Sequence, residues 1–274
     1  MPYGISWLCY NKKAKIKLEL EPRGNRMTEK AKPMYTMRRI LTDTDADFAR
    51  RQRLSSMFCM FQDIAGQHAA SLGASVAWLR EEMNLAWILM RVRLEVDKYP
   101  VLGQEVVVET WPQAPRALYE RDYMIRGMDG EPLVRAGSTW IIMDLATREI
   151  KRDKFLDYHG LEMKAERALG RGVGRLKPVD GTELVFEREM GFSDTDYNGH
   201  VNNAKYVDHI MDCFSFEEHE ARGISAIEMH YVNEIGPGDV LQIRRKTLDG
   251  GAVYLDGARK SDGISVINSL VEWE

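Results

Sequence analysis

Two hydrophobic periodicities alternate along this chain. Leu54, Met57, Phe58, Phe61, Ile64, Ala65, His68 and Leu72 recur at three- and four-residue intervals, which predicts an amphipathic helix ending near Gly73. Val201, Ala204, Val207, Ile210, Met211 and Phe214 repeat that spacing inside the stretch Phe192 to Phe214, with Lys205, Asp208, His209 and Asp212 on the polar side. Between and after them the pattern turns strand-like. YTMRRIL precedes the first helix, and LAWILMRVRLEV, EVVVETW, ALYERDYMIRG and VRAGSTWIIMDL follow it. LVFEREM precedes the second, and AIEMHYVNE, VLQIRRK, AVYLDGARK and ISVINSLVEW follow that one. Asp129-Gly130 and Asp262-Gly263 read as hairpin turns.

One helix followed by a run of antiparallel strands is an α+β unit, and here it is written twice. Boundaries follow from the pattern: a basic extension over 1–33, a first unit over 34–155, a Gly- and Arg/Lys-rich linker over 156–180, and a second unit over 181–274. Met27 is an alternative start within the extension. In both units an acidic turn separates a strand from the helix, so Leu41-Thr42-Asp43-Thr44-Asp45 is laid over Phe192-Ser193-Asp194-Thr195-Asp196. That register sets Asn198 against Asp47 and His200 against Ala49, while Gly103 over Gly238 sets Tyr99 against Glu234. The reactive set occurs in the second copy alone.

Composition narrows the partners. With 274 residues, 44% hydrophobic and 29% charged, the chain supports a large core, and its net charge of −4 gives no global pull toward nucleic acid. No apolar run approaches the roughly 20 residues of a membrane span. Cys9, Cys59 and Cys213 are odd in number and far apart, which argues against a disulfide framework or zinc site and fits a reducing, cytoplasmic setting. Cys213 is expected to pack in the core, because a continuous helix would hold it on the order of 20 Å from His200. Trp78, Trp87, Trp111 and Trp140 read as core or pocket walls.

The chemistry concentrates in FSDTDYNGHVNNAKYVDHI. Asp194, Asp196, Asn198, Gly199 and His200 crowd onto a turn opening a half-buried helix, whose unpaired N–H groups suit a developing anion. Capping accounts for one such residue but not for four polar groups including a histidine.

DTDYNGHVNNAKYVDHI resembles the active-site segment of the acyl-(acyl carrier protein) thioesterases, D-x-N-x-H-V-N-N followed by K-Y. YPVLGQEVVVETWP, RDYMIRG, AGSTWIIMDLATREIKR and QDIAGQHAASLG extend the resemblance from about Tyr35 to the C-terminus. It implies a tandem (double) hot-dog, each half a long central helix wrapped by an antiparallel sheet. It also implies hydrolysis of fatty acyl-acyl carrier protein during fatty acid biosynthesis, with no cofactor and no metal. By position, Asp196, Asn198 and His200 fall on the catalytic motif and Glu234, in YVNEIG, on the catalytic glutamate. Plant members carry a cysteine after that glutamate; Ile235 stands here, so a cysteine mechanism is closed to this chain.

Hydrolysis needs a delivered oxygen, a held oxyanion and a thiolate that can leave. Glu234, expected among apolar neighbours, would be the base for water, with His200 relaying the proton and Asn198 fixing the geometry. Backbone N–H groups after His200 would hold the oxyanion. Asp196 would orient His200 or act as nucleophile through an anhydride.

Three rivals compete. Asp194, Asp196, Asn198, Gly199 and Val201 fit five positions of a calcium loop, but Lys205 replaces its closing glutamate and LVFEREM alternates like a strand. The others are an acyl-CoA thioesterase of the same fold and a hot-dog that binds acyl groups without cleaving them. Arg50, Arg51, Arg53 and the linker cations read either as a solvated face or as steering for acidic acyl carrier protein. A homodimer is left open.

Overall fold

The computed structural model describes residues 32–114, 118–151 and 161–274. The predicted extension, apart from its last two residues, and the start of the predicted linker lie outside them, as does the Met27 question.

Strand β1 (Tyr35–Ile40) leads through a short turn of 3-10 helix into α1 (Leu54–Ser71) and α2 (Val76–Met83). Then come β2 (Leu85–Val96), β3 (Glu105–Pro112), β4 (Tyr119–Gly127), β5 (Pro132–Asp144) and the two-residue β6 (Ile150–Lys151). The plan repeats with β7 (Glu183–Glu189), α3 (Asn203–Met211), α4 (Phe216–Ala221), β8 (Ile224–Tyr231), β9 (Val240–Thr247), β10 (Val253–Arg259) and β11 (Ser265–Trp273).

The strands form one antiparallel sheet in the order β1-β3-β4-β5-β2-β8-β11-β10-β9-β7, with β6 beside β5. Each half has the same internal order, and the halves join through β2 and β8. In that seam Arg93 lies opposite Glu228, Nη1 to Oε2 at 3.6 Å, both largely buried. With Gly103 matched to Gly238, Arg93 and Glu228 are equivalent positions, so this pair sits on the pseudo-two-fold axis. Two identical halves would set like charges there; the duplicated chain sets opposite ones.

Alternation explains the layers, since successive side chains of a strand face opposite sides. Leu94, Val108, Ile125 and Val134 of the first half, and Ile227, Leu241, Leu255 and Ile267 of the second, are buried in one continuous core with α1 and α3. Each large side chain so buried is worth roughly 1.5–3 kcal/mol. Tyr123 stacks on Phe61 of α1, whereas its neighbour Asp122 faces away and accepts from Ala168 N at 3.1 Å. Trp111 Nε1 donates to Glu166 O at 2.8 Å, and Arg91 Nη1 to Gly174 O at 2.8 Å. These bonds tie residues 166–174, which have no helix or strand, across the outside of the sheet. The architecture is the expected α+β tandem hot-dog.

Three expectations about local structure are corrected. The second helix is shorter than its apolar spacing suggested. Val201 lies in an extended bridge with Thr195, and α3 begins only after Asn202, whose side chain caps it through Ala204 N at 2.8 Å. It ends at Met211, and Ser215 starts a separate helix with its own capping box. His209, assigned to the polar side, is 1% exposed: it stacks on Phe186 and lies 3.4 Å from Asp194 Oδ1.

The third correction concerns the repeat. In both loops an aspartate at the end of the 3-10 turn bonds back to the start of that turn, and these are Asp45 and Asp194. Asp47 N bonds Arg51 O just as Asp196 N bonds His200 O, and Arg53 N bonds Asp45 O as Asn202 N bonds Asp194 O. Asp47 therefore corresponds to Asp196, Ala49 to Asn198 and Arg51 to His200, two residues away from the sequence alignment. The alignment slipped because Asp-Thr-Asp occurs in both loops, which invites matching letters rather than turns. Gly103 and Gly238 keep their correspondence, with φ of 81° and 84°.

Candidate active site

The loop between β7 and α3 is built on Asp194. Its Oδ2 accepts from Gly191 N at 2.8 Å, its Oδ1 faces Arg188 Nη2 at 3.3 Å, and its backbone oxygen accepts from Asn202 N at 2.8 Å. With Asp194 pinned at both ends of the loop, the residues between are held in a tight excursion. Gly199 takes φ of 80° there, a left-handed conformation that costs glycine little.

Within this loop Asp196 Oδ1 accepts from Asn198 N at 2.8 Å, and Oδ2 from Asn198 Nδ2 at 3.2 Å. His200 follows, and its Nε2 lies 3.7 Å from Glu234 Oε2, on the segment beyond β8. Asp196, Asn198, His200 and Glu234 are thus brought to one place, Asp196 with Asn198 by direct bonds and His200 with Glu234 across a slightly longer gap. The His200 and Glu234 side chains are 51% and 45% exposed. Such a gap is longer than a hydrogen bond and open to water.

The expected apolar surroundings of Glu234 are not found. Arg148 Nη2 lies 3.7 Å from its Oε2, and Arg259 Nη1 donates to its backbone oxygen at 3.3 Å. The backbone oxyanion site is also partly spoken for: Asn202 N is bound by Asp194 O, and Ala204 N by the Asn202 side chain. The calcium reading finds no support, because the segment before the loop is strand β7, Asp194 is committed to protein donors, and Lys205 pairs with Asp208 at 3.4 Å. Among the described residues no cluster of three or more His, Cys, Asp or Glu has a metal-binding arrangement.

Two neighbours were missed in the sequence, and both come from the first half. Arg80, on α2, donates from Nη1 to Asn198 Oδ1 at 2.6 Å. Arg148 sits in the β5–β6 turn with φ of 62°. The helix carrying Arg80 is only eight residues long, and its apolar spacing is too brief to announce it. Its signals were Ser75, whose side chain caps it through Trp78 N at 3.1 Å, and Asn84, which ends it in the left-handed conformation. Cys213 is buried, as expected; its Sγ donates to His209 O at 3.2 Å and burial pushes the thiol up to about 12.

Two voids among the described residues are lined by none of the four site residues. A small one of about 10 Å³, on the order of one water, is lined by Phe58, Phe61, Gln62, Leu89, Val92, Tyr123 and Trp140 of the first half. A wider cleft of about 390 Å³ lies between Lys98 and Leu133 and contains none of the four site residues.

Fold and site together define a class: two hot-dog units in one chain, with a single loaded loop at their seam. The acyl-ACP thioesterase N-terminal domain pattern matches residues 32–154, and the C-terminal domain pattern residues 182–267. The chain belongs to the acyl-ACP thioesterase family. It is 29% identical over 210 residues to the chloroplastic palmitoyl-acyl carrier protein thioesterase of Arabidopsis thaliana, covering 69% of this chain and 50% of that protein. The Gossypium hirsutum counterpart is 30% identical over 207 residues, with the same coverage. The chain thus spans about half the length of these relatives. An acyl-ACP thioesterase structure from Bacteroides thetaiotaomicron has a TM-score of 0.81 at 27% identity, covering 88% of this chain and 98% of that one.

Proposed function

We propose that this protein hydrolyses the thioester between a fatty acyl chain and acyl carrier protein, releasing free fatty acid during fatty acid biosynthesis. The observation that carries the reading is the 3.7 Å approach of His200 Nε2 to Glu234 Oε2, beside a loop that also presents Asp196 and Asn198. Water placed between the imidazole and the carboxylate would lose its proton to Glu234 as it attacks the thioester carbon. Asp196 is poorly suited to attack, since both its oxygens accept hydrogen bonds from Asn198, which lowers their electron density and turns them inward. Asp196 and Asn198 instead brace the turn that aims His200. Asp196, Asn198, His200 and Glu234 are therefore assigned as the catalytic set.

The acyl chain would enter the first half, where a small void lies between α1 and the sheet. Phe61 and Trp140 must move to admit it. The carrier is assigned as acyl carrier protein on the family's description. Arg51 is removed from the set of steering cations because it is engaged by Asp47 and His219 O. Arg50 and Arg53 remain exposed. No helix among the described residues is long and apolar enough to cross a membrane.

The deciding assay measures fatty acid released from matched acyl carrier protein and CoA thioesters. Preference for the carrier-bound substrate, weakening as salt rises, is expected. Equal or better turnover of CoA thioesters would reassign the carrier, and acyl binding without release would leave a non-catalytic hot-dog. Single turnover in H₂¹⁸O should place label in the fatty acid and none in Asp196.

A further inference from the structure

Every residue assigned so far to the chemistry belongs to the second half, yet the shortest side-chain bond in the site crosses the seam. Arg80 Nη1 approaches Asn198 Oδ1 at 2.6 Å from α2 of the first half. A guanidinium can only donate, so it accepts one orientation of the Asn198 amide, with the oxygen toward Arg80. Nδ2 must then point the other way, and it does, donating to Asp196 Oδ2 at 3.2 Å. Drawing electron density toward Oδ1 also makes Nδ2 a better donor, because hydrogen bonds in a chain polarise one another.

The support behind Arg80 is rigid. Ser75 caps α2, Asn84 closes it, and Leu79, next to Arg80, is 0% exposed in a cluster with Leu72, Ala74, Leu85, Tyr119 and Ile142. Counted from the capping serines Ser75 and Ser215, the second-half counterpart of Arg80 is Glu220. The counterpart of Asn198 is Ala49, so at the other end neither partner of this bond exists.

We infer that Arg80 is a positioning residue for hydrolysis, locking the Asn198 amide and, through it, the Asp196–His200 turn; this rests on the thioesterase reading above. The first half, which lacks a loaded loop of its own, thereby supplies part of the site in the second.

The test is a double-mutant cycle on the full chain. Arg80→Met should lower kcat roughly 10–100-fold with KM changed little, the size expected when a reacting group is held about 1 Å out of place. Arg80→Lys should recover part of that loss, and millimolar guanidinium should recover part in Arg80→Ala. In an Asn198→Ala background, Arg80→Met should cost less than about twofold, because the lever is already gone. Wild-type kcat in Arg80→Met, or losses that multiply in the double variant, would overturn the inference.

A second readout does not need turnover. The two side-chain N–H signals of Asn198 should be distinct in the wild type, and should broaden and move in Arg80→Met while the rest of the amide spectrum stays put. An unchanged Asn198 pair would overturn the lock even if no thioester were cleaved. An inactive wild type that keeps the shift would instead remove the thioesterase reading and leave the lock standing.

Discussion

The pseudo-two-fold axis relates two ends of this molecule that share a loop backbone and, of four matched site positions, differ at three. At one end Asp196, Asn198 and His200 face Glu234, with the histidine and carboxylate 3.7 Å apart and about half exposed. At the other, Asp47, Ala49 and Arg51 face Tyr99. Arg51 Nε pairs with Asp47 Oδ2 at 3.2 Å, its Nη2 donates to His219 O at 3.2 Å, and its guanidinium lies 5.1 Å from the Tyr99 ring centre. Tyr99 OH donates to Ile224 O at 3.0 Å and accepts from Ile224 N at 2.9 Å, and burial pushes the phenol up to about 12. One loop is left open, its histidine and the facing carboxylate each about half exposed. The other has become a latch tying the first half to α4 and β8 of the second. The loop backbone is compatible with both uses, so the side chains decide which end can host chemistry.

The comparison breaks most visibly in activity. His200→Ala and Glu234→Gln should each lower kcat by about 10²–10⁴, the range for removing a general acid–base group. Their melting temperatures should stay near wild type, since both side chains are about half exposed. Rates close to wild type, measured as fatty acid release, would sink the assignment.

Each half also buries a histidine, in opposite electrostatic settings. His68 donates from Nε2 to Lys32 O at 2.9 Å, which leaves Nδ1 to accept from Arg121 Nη1 at 3.0 Å. Burial, with Arg121 adding to it, lowers its pKa to about 4. His209 is lowered by burial too, but Asp194 pulls it back up. Because the folded-state value of His68 lies below the unfolded one, its contribution is complete above about pH 6.5 and is lost as pH falls through about 4. That amounts to on the order of 3 kcal/mol. Urea midpoints at pH 7 and pH 4.5 should fall apart in the wild type and converge in His68→Gln.

At the latch, Tyr99→Phe should destabilise by about 2 kcal/mol, because the Ile224 N–H and C=O lose their shared partner. Specific activity at a temperature below melting should not change. Arg50 is the smallest test. It holds φ of 63° where the live loop has Gly199, and Arg50→Gly should stabilise by about 1 kcal/mol through relief of left-handed strain. A lower melting point in Arg50→Gly would show that the side chain does more than tolerate its backbone.

Most of the strands were legible because alternation against a buried helix leaves a period of two. LAWILMRVRLEV coincides with β2 to the residue, and both Asp-Gly turns fall between strands as expected, Gly130 and Gly263 having φ of 88° and 72°. The helix carrying Phe58 and Phe61 was equally plain. What escaped were features without periodicity. Short α2 is announced only by its caps, so nothing in the spacing marks Arg80. Arg148 reaches Glu234 from a turn 86 residues away in sequence, which no local pattern encodes. His209 was read as polar surface since helical spacing cannot tell an aspartate waiting on the next loop from solvent. The repeat itself was found, but its loop register was missed by two residues, because hydrogen bonds and not letters define which aspartates correspond.

From the amino-acid order alone come the duplication, the antiparallel strands and the four residues gathered in the second copy, since each is written in local spacing or residue chemistry. Folding alone decides that β2 meets β8, that opposite charges share the axis at Arg93 and Glu228, and that an arginine from one half seats the asparagine of the other. Such pairings bring together groups far apart along the chain, and only a packed core fixes their distance.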